Sequence, residues 1–401
     1  MRTYSPFIRN FLVCCIFSSL GAEAALLREW PLPAGSQPLQ IDASSPTGNA
    51  YFVDQALMTI NQLNPGGSSL VSWPAPFTPS TPGSIVVEPF AALRFVYVTD
   101  LPGTILGQLD ISTSTYYQFN LALLPWNISG GPRQLVFDSS HTVEPNDNAV
   151  WFTASGDAAT GTAPMIGYLA PSTSKFRVWP LPSTIASPGD ALDGLAFVVA
   201  PDGPAVFFTV NGPAGSGRNE VAKLSPLINI VTAWPLPASY SQPVPIVATR
   251  TGDVYRVQCP GCNTMAQIKT GASLLNEWSS PVDTTDMFLA LDAGALVPRF
   301  TGTFSGVPSA DMLIPTCNFV TTPLAPIRAQ VSPDIAYLDP DRNPLQPIIQ
   351  DAPFQVRNLD QTTMCPFIRW LPISSGGPIS MDSMGGTWIS ETAAQFIASF
   401  F

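Results

Sequence analysis

Glu29-Trp30-Pro31-Leu32-Pro33 returns along the chain in close variants: Ser72-Trp73-Pro74-Ala75-Pro76, Val178-Trp179-Pro180-Leu181-Pro182 and Ala233-Trp234-Pro235-Leu236-Pro237. Looser copies are Glu277-Trp278-Ser279-Ser280-Pro281 and Arg369-Trp370-Leu371-Pro372. An aromatic–proline phrase that recurs mostly every ~40–60 residues marks a repeat architecture. Proline has no backbone N–H to donate, so a strand carrying Trp-Pro-Leu-Pro tolerates only the edge of a sheet.

Three further strands precede each phrase. The first is apolar and ends near an acid or turn residue: Leu39 to Asp42, Ile85 to Glu88, Leu135 to Asp138, Phe197 to Ala200 before Asp202, Ile246 to Ala248, Leu289 to Asp292, Ala329 to Val331 before Asp334, and Ile379 to Asp382. Runs of this kind suit strands covered on both faces. The acids at their ends read as turn caps, because a short carboxylate bonds the turn backbone. The second strand has an aromatic centre, as in Tyr51-Phe52, Val96-Tyr97, Trp151-Phe152, Phe207-Phe208, Val254-Tyr255 and Trp388-Ile389, with weaker members at Leu296-Val297 and Ala336-Tyr337. The third is short, as in Ile60 to Pro65 or Val221 to Pro226.

Four strands per unit, with the fourth at an exposed edge, describe a β-propeller blade. Counting first strands gives eight units, with seven as the alternative if the irregular seventh unit is an insertion. The chain starts with an unaccompanied outer strand, Leu27 to Pro33, and ends with inner strands, Gly377 to Phe401. The first strand is therefore expected to complete the last blade and close the ring, which removes an exposed end. The fold class is all-β, a single propeller spanning residues 25–401.

Composition agrees. Of 401 residues, 11% are charged and 45% hydrophobic, with 43 prolines and 29 glycines. That balance suits short strands and tight turns more than long helices, and excludes disorder. A net charge of -11 with few, scattered basic residues excludes nucleic acid as a partner. Residues 1–24 read as a secretory signal: Arg2 and Arg9, an apolar core from Phe11 to Leu20, and Ala22-Glu23-Ala24 for cleavage. No later apolar run is long enough to span a membrane as a helix. The mature chain is expected to be secreted and monomeric.

Four cysteines follow the leader, and an oxidising compartment favours disulfides, expected as Cys259 with Cys262 and Cys317 with Cys365. Asn127-Ile128-Ser129 is a glycosylation sequon in a eukaryotic secretory route. Around the central funnel, Asp54, Asp100, Asn211 and Glu391 fall at or near the ends of second strands, with Arg256 and Arg299 at nearby levels. These are the candidate binding residues. Carboxylates there could hold a divalent cation such as Mg²⁺, Mn²⁺ or Ca²⁺, although none is required by the sequence.

The order E-W-P-L-P, strand, turn, aromatic strand, I-x-x-L-x-P resembles the virginiamycin B lyase-like (streptogramin lyase) β-propellers. The matching pieces are Glu29 to Pro33, Ile41-Asp42, Tyr51 to Asp54, Ile60 to Pro65, Trp151 to Thr153, Val199 to Gly203 and Trp388 to Glu391. The resemblance covers nearly the whole mature chain and implies the propeller fold. It also implies metal-dependent opening of a cyclic depsipeptide by elimination at an ester, with histidine and glutamate moving the proton. This chain departs from that pattern: its one histidine, His141, falls between a first and a second strand, on the face opposite the funnel. A histidine base with a histidine neighbour cannot be built. The residues therefore favour a non-catalytic module binding a protein, glycan or small ligand, with the lyase-like enzyme as the alternative.

Overall fold

The computed structural model describes residues 27–64, 66, 69–77, 81–90, 94–101, 103–124, 131–143, 148–213, 216, 218–236, 246–248, 253–257, 264–269, 274–279, 283–291, 298–305, 333–337, 356–357, 364–365, 379–382, 387–391 and 395–400. Strand β1 is Leu27–Pro31. Blade I is β2 Pro38–Asp42, β3 Ala50–Asp54, β4 Thr59–Asn64 and β5 Ser69–Pro74. Blade II is β6 Thr81–Val87, β7 Phe95–Leu101, β8 Ile105–Asp110 and β9 Thr115–Asn120. Blade III is β10 Pro132–Asp138, β11 Ala149–Ala154, β12 Met165–Ala170 and β13 Lys175–Pro180. Blade IV is β14 Leu195–Ala200, β15 Gly203–Asn211, β16 Asn219–Ser225 and β17 Ile230–Pro235. Blade V is β18 Ile246–Ala248, β19 Asp253–Val257, β20 Thr264–Lys269 and β21 Leu274–Ser279.

A three-stranded sheet follows, with β22 Asp283–Leu291, β23 Pro298–Ser305 and β24 Pro333–Tyr337. A small pair, β25 Val356–Arg357 and β26 Met364–Cys365, comes next. The closing blade is β27 Ile379–Met381, β28 Thr387–Glu391 and β29 Phe396–Phe400, with β1 on its outer edge. Leu27 pairs with Phe400 and Pro31 with Phe396, so the N-terminal strand does complete the last blade. Trp30 stacks on Trp388 with ring centroids 5.4 Å apart. Among the described residues no helix is long and apolar enough to cross a membrane.

The innermost strands adjoin one another in the order β2, β6, β10, β14, β18, β22, β27 and back to β2. This cycle has seven members among the described residues. The inner strand expected for an additional unit, Ala329-Gln330-Val331, lies outside them, as does Leu296-Val297. One expectation is corrected: Ala336-Tyr337, read as a second strand, lies in β24 and pairs with β23 as a third strand. An alternating apolar run fits either position, and only the pairing distinguishes them.

Among the described residues the Trp-Pro phrases occupy outermost strands, as the missing N–H requires, and the copy at Trp370 lies outside them. Trp73 and Trp179 turn inward and are buried, while Pro74 and Pro180 face out. The residue after each proline then donates to the turn before the third strand: Leu32 to Gln395 O, Ala75 to Met58 O and Leu181 to Pro164 O; Leu236 donates to Asn219 O at the start of β16. The buried leucines, Leu181 and Leu236, fill the space between blades. The core is accordingly a set of layers, each clasped between two neighbouring blades.

Acids that end inner strands cap turns, and three of them tie down the aromatic of the second strand. Asp138 Oδ1 accepts from Ser140 N at 2.8 Å while Oδ2 accepts from Trp151 Nε1 at 3.3 Å. Asp382 accepts from Trp388 Nε1 at 2.9 Å, and Glu88 from the Tyr97 hydroxyl at 3.3 Å. Asp42 bridges blades, accepting from Ser44 N and from Val87 N of blade II, both at 2.8 Å.

Near the axis, inner strands start with a break in register, at Pro38/Ile41, Pro82/Ile85 and Pro132/Leu135. A break of this kind leaves N–H groups without a ladder partner. Second-strand hydroxyls accept them, Thr99 from Ser84 N at 2.8 Å and Thr153 from Gln134 N at 3.2 Å; in blade IV, where the register is unbroken, Thr209 likewise accepts from Gly194 N at 2.8 Å. Thr99 also donates across to Arg133 O of blade III, and Ser390 to Leu39 O of blade I. These hydroxyls are fully buried. Thr209→Val keeps the shape and orphans Gly194 N, so it is expected to lower stability by about 1–3 kcal/mol in urea unfolding. The exposed Thr232→Val on the outer strand is expected to change it by less than about 0.5 kcal/mol.

Candidate functional site

In an antiparallel meander the second-to-third turns and the links from outer strand to next inner strand gather at one end of the ring. The funnel face is built there from the ends of β3, β7, β11 and β15 and the starts of β2, β6, β10 and β14. The pairing register places Asp54 of blade I and Asp100 of blade II at equivalent positions, opposite Pro38 and Pro82. Ala154 sits there in blade III, opposite Pro132. Asn211 lies one residue further on, where β15 continues.

Both aspartates are buried, and Asp54 is committed to the backbone around it. Asp54 Oδ1 accepts from Gln37 N and Leu57 N, each at 3.0 Å. Asp100 is held under the turn at Gly103, where a Cβ would stand only 1.8 Å from its Oδ2. That close approach is why residue 103 is glycine. Asp54 and Asp100 thus share a level but not a cluster. Among the described residues, no set of three or more His, Cys, Asp or Glu side chains comes together to hold a metal ion. His141 is exposed in the β10–β11 connection, at the other end of the ring. The donor set found here therefore does not fit a histidine-assisted metal centre.

Glu391 ends β28, Arg256 lies in β19 and Arg299 in β23, as strand positions whose side chains fall outside the described residues. Cys259, Cys262, Cys317 and Asn127 also lie outside them, and Cys365 is placed only as a position in β26.

Asn211 is a funnel-face residue whose side chain no described residue engages. Its backbone pairs with Ala191 in both directions, at 2.8 and 3.0 Å, which fixes the Cα at the junction of blades III and IV. Its side chain is buried, yet neither Oδ1 nor Nδ2 has a hydrogen-bond partner among the described residues. A buried amide left without partners costs about 1–3 kcal/mol per orphaned group. Around it the loops are rigidly tied. Arg218 Nη1 donates to Asp190 Oδ2 and to Ser187 Oγ, both at 2.7 Å, and Ser187 N donates to the same Asp190 oxygen at 2.6 Å.

A second funnel-face feature escaped the sequence reading. Arg133, at the start of β10, bridges to Asp193, just before β14, at 3.0 Å. The pair spans blades III and IV at the level where inner strands begin. Burial pushes the Asp193 carboxyl up, against the pull of Arg133, and its Oδ2 is buried with no hydrogen-bond partner among the described residues. No local motif marks this pair, because its members are brought together only by the packing of neighbouring blades.

A carboxyl whose pKa is raised by folding opposes the fold once it ionises. The penalty is absent below the ordinary aspartate range and sets in as pH rises through the raised value. Asp193→Asn is therefore expected to flatten the fall in stability as pH rises above the ordinary aspartate range. Asp110 has the opposite sign. Arg94 and Ser112 draw it from 3.8 down to about 2, so its contribution is present at neutral pH and fades as pH falls toward about 2. Urea midpoints measured across pH check both.

No family model matches the sequence, and no curated protein matches it either. Solved structures do match. One is a streptogramin B lyase structure, 16% identical, covering 94% of this chain and 97% of that one, with a TM-score of 0.62. Another is a catalytically inactive variant of virginiamycin B lyase from Staphylococcus aureus with quinupristin, 14% identical, covering 94% and 99%, with a TM-score of 0.62. A third is a chain of the mitotic checkpoint complex, 9% identical, covering 93% and 90%, with a TM-score of 0.58. Identities this low speak to fold alone. The chain has the virginiamycin B lyase-like β-propeller fold.

Proposed function

We propose that the mature chain is a secreted, monomeric β-propeller that binds a protein, glycan or small ligand at its funnel face without catalysing a reaction. The observation that carries this is Asn211, a buried amide with a donor and an acceptor both unused by the described residues. Such a side chain, at a junction locked by Asp190 and Arg218, suits a ligand that answers with an acceptor and a donor together. Arg133 and Asp193 supply opposite charges at the same junction. Export is in keeping with the fold, because cleavage after Ala24 leaves the closing strand from Leu27 intact. A propeller in the mitotic checkpoint complex lends analogy to a partner-binding role, at the level of fold only.

The alternative is a metal-dependent lyase like the streptogramin B lyase, using Asp54, Glu391 and a divalent cation. The use of Asp54 Oδ1 in two backbone hydrogen bonds weighs against it. Calorimetric titration with Mg²⁺, Mn²⁺ and Ca²⁺ is expected to give no stoichiometric uptake up to about millimolar metal, the weak end of dedicated sites. Stoichiometric uptake that is lost in Asp54→Ala or Glu391→Ala, together with ring opening of a streptogramin B, would establish the lyase instead. For binding, immobilised mature protein and its Asn211→Ala variant are exposed to the culture medium of the source organism. A species retained saturably by the first and lost by the second is expected. Equal retention by both, or none, contradicts the funnel-face reading.

A further inference from the structure

The opposite face of the ring carries a cleft between blades II and III, with a volume of about 820 Å³. Its first wall follows from strand register. Tyr97 pairs with Gln108, and Gln108 with Tyr117, so the three form one row across β7, β8 and β9 on the face turned to blade III. Tyr117 is 48% exposed, an unusual state for a large ring beside a cleft. Phe119 closes the outer end, edge to face with Phe176 of blade III at 5.8 Å. The second wall is Asn148, just before β11, and the turn 171–174.

The repeat explains why space remains here. In blade III the residue equivalent to Gln108 is Tyr168, paired with Trp151. Its ring packs against Trp151 at 4.8 Å, and Trp151 stacks on Phe197 of blade IV at 5.9 Å. Rings occupy the space there. In blade II a glutamine stands in the same place, and it is bound sideways to the Tyr97 hydroxyl at 3.0 Å.

The polar groups narrow the ligand. Asn148 Oδ1 is buried with no hydrogen-bond partner among the described residues, so a purely apolar guest would leave it unsatisfied. Arg94 is committed to Asp110 through Nε and Nη2, at 2.8 and 2.7 Å, and lies 4.8 Å over the Phe95 ring at the rim. That pairing leaves the guanidinium no charge to offer an anion, and Glu88 in the floor disfavours one as well. Burial raises the Glu88 carboxyl, and its oxygens already accept from Phe95 N and the Tyr97 hydroxyl, so it is poorly placed to hold a cation. What fits is an uncharged molecule with an apolar C–H face for the tyrosine and hydroxyls for the amides and carboxyl.

We propose that this cleft is a binding site for a neutral saccharide, stacked on Tyr117 and hydrogen-bonded by Asn148, Gln108 and Glu88. The site is separate from the funnel face and does not depend on its reading. The test is saturation-transfer NMR and calorimetry on the mature protein with cellobiose, maltotriose, xylobiose and chitobiose as probes. At least one is expected to bind saturably, with Tyr117→Ala weakening it by about tenfold, the scale of a lost aromatic contact. Asn148→Leu is expected to weaken it as well, and Asn211→Ala, on the other face, to leave it unchanged. No saturable binding by any probe at tens of millimolar, or binding indifferent to Tyr117→Ala, overturns the proposal.

Discussion

Leu27–Pro31 laid against Phe396–Phe400 is the constraint on which the rest of the ring depends. A propeller blade buries its faces only against its neighbours, so an open ring would leave two blades with an uncovered face each. Here the closure is made by backbone pairing and not by a new kind of contact. The strand that does it is the same Trp-Pro strand that ends blades I, III and IV, contributed from the other end of the chain. Its prolines face the side where no partner could follow, which also protects the edge from further pairing. Trp30 on Trp388 then fixes the closing blade to its own aromatic core.

The inner half of blades II and III and of the closing blade shares a second device. An acid at the end of one strand anchors the indole or phenol of the next, as in Asp138 with Trp151, Asp382 with Trp388 and Glu88 with Tyr97. A hydroxyl at the other end of the second strand satisfies N–H groups freed by the inner-strand break in blades II and III. Both devices use polar side chains close to the axis, where a ligand could otherwise compete for them. This is why Asp54, conspicuous in the sequence, is structural, while Asn211 and one oxygen of Asp193 have no hydrogen-bond partner among the described residues.

The architecture was legible because proline and tryptophan have few places to go in a sheet. The Trp-Pro copies located outer strands, the aromatic pairs located second strands, and the orphan strand at Leu27 foretold closure. Regularity fades after blade V, where Ala336-Tyr337 read as a second strand and proved to be a third. Short apolar runs carry no information on which neighbour they pair with. The hydroxyl ladder of Thr99, Thr153, Thr209 and Ser390 was not read, because threonine in a strand looks like simple β-preference. Arg133 with Asp193 and the Asn148 cleft depend on two blades at once, and no local pattern encodes that.

Amide hydrogen exchange across β29, with and without residues 25–33, tests the closed ring most directly. Closure by β1 predicts slow exchange at the β29 amides that face it, lost on deletion, with faster exchange spreading into blade I and the closing blade. Unchanged protection across Phe396–Phe400 after the deletion would contradict the closure, and with it the ring on which both proposed binding faces stand.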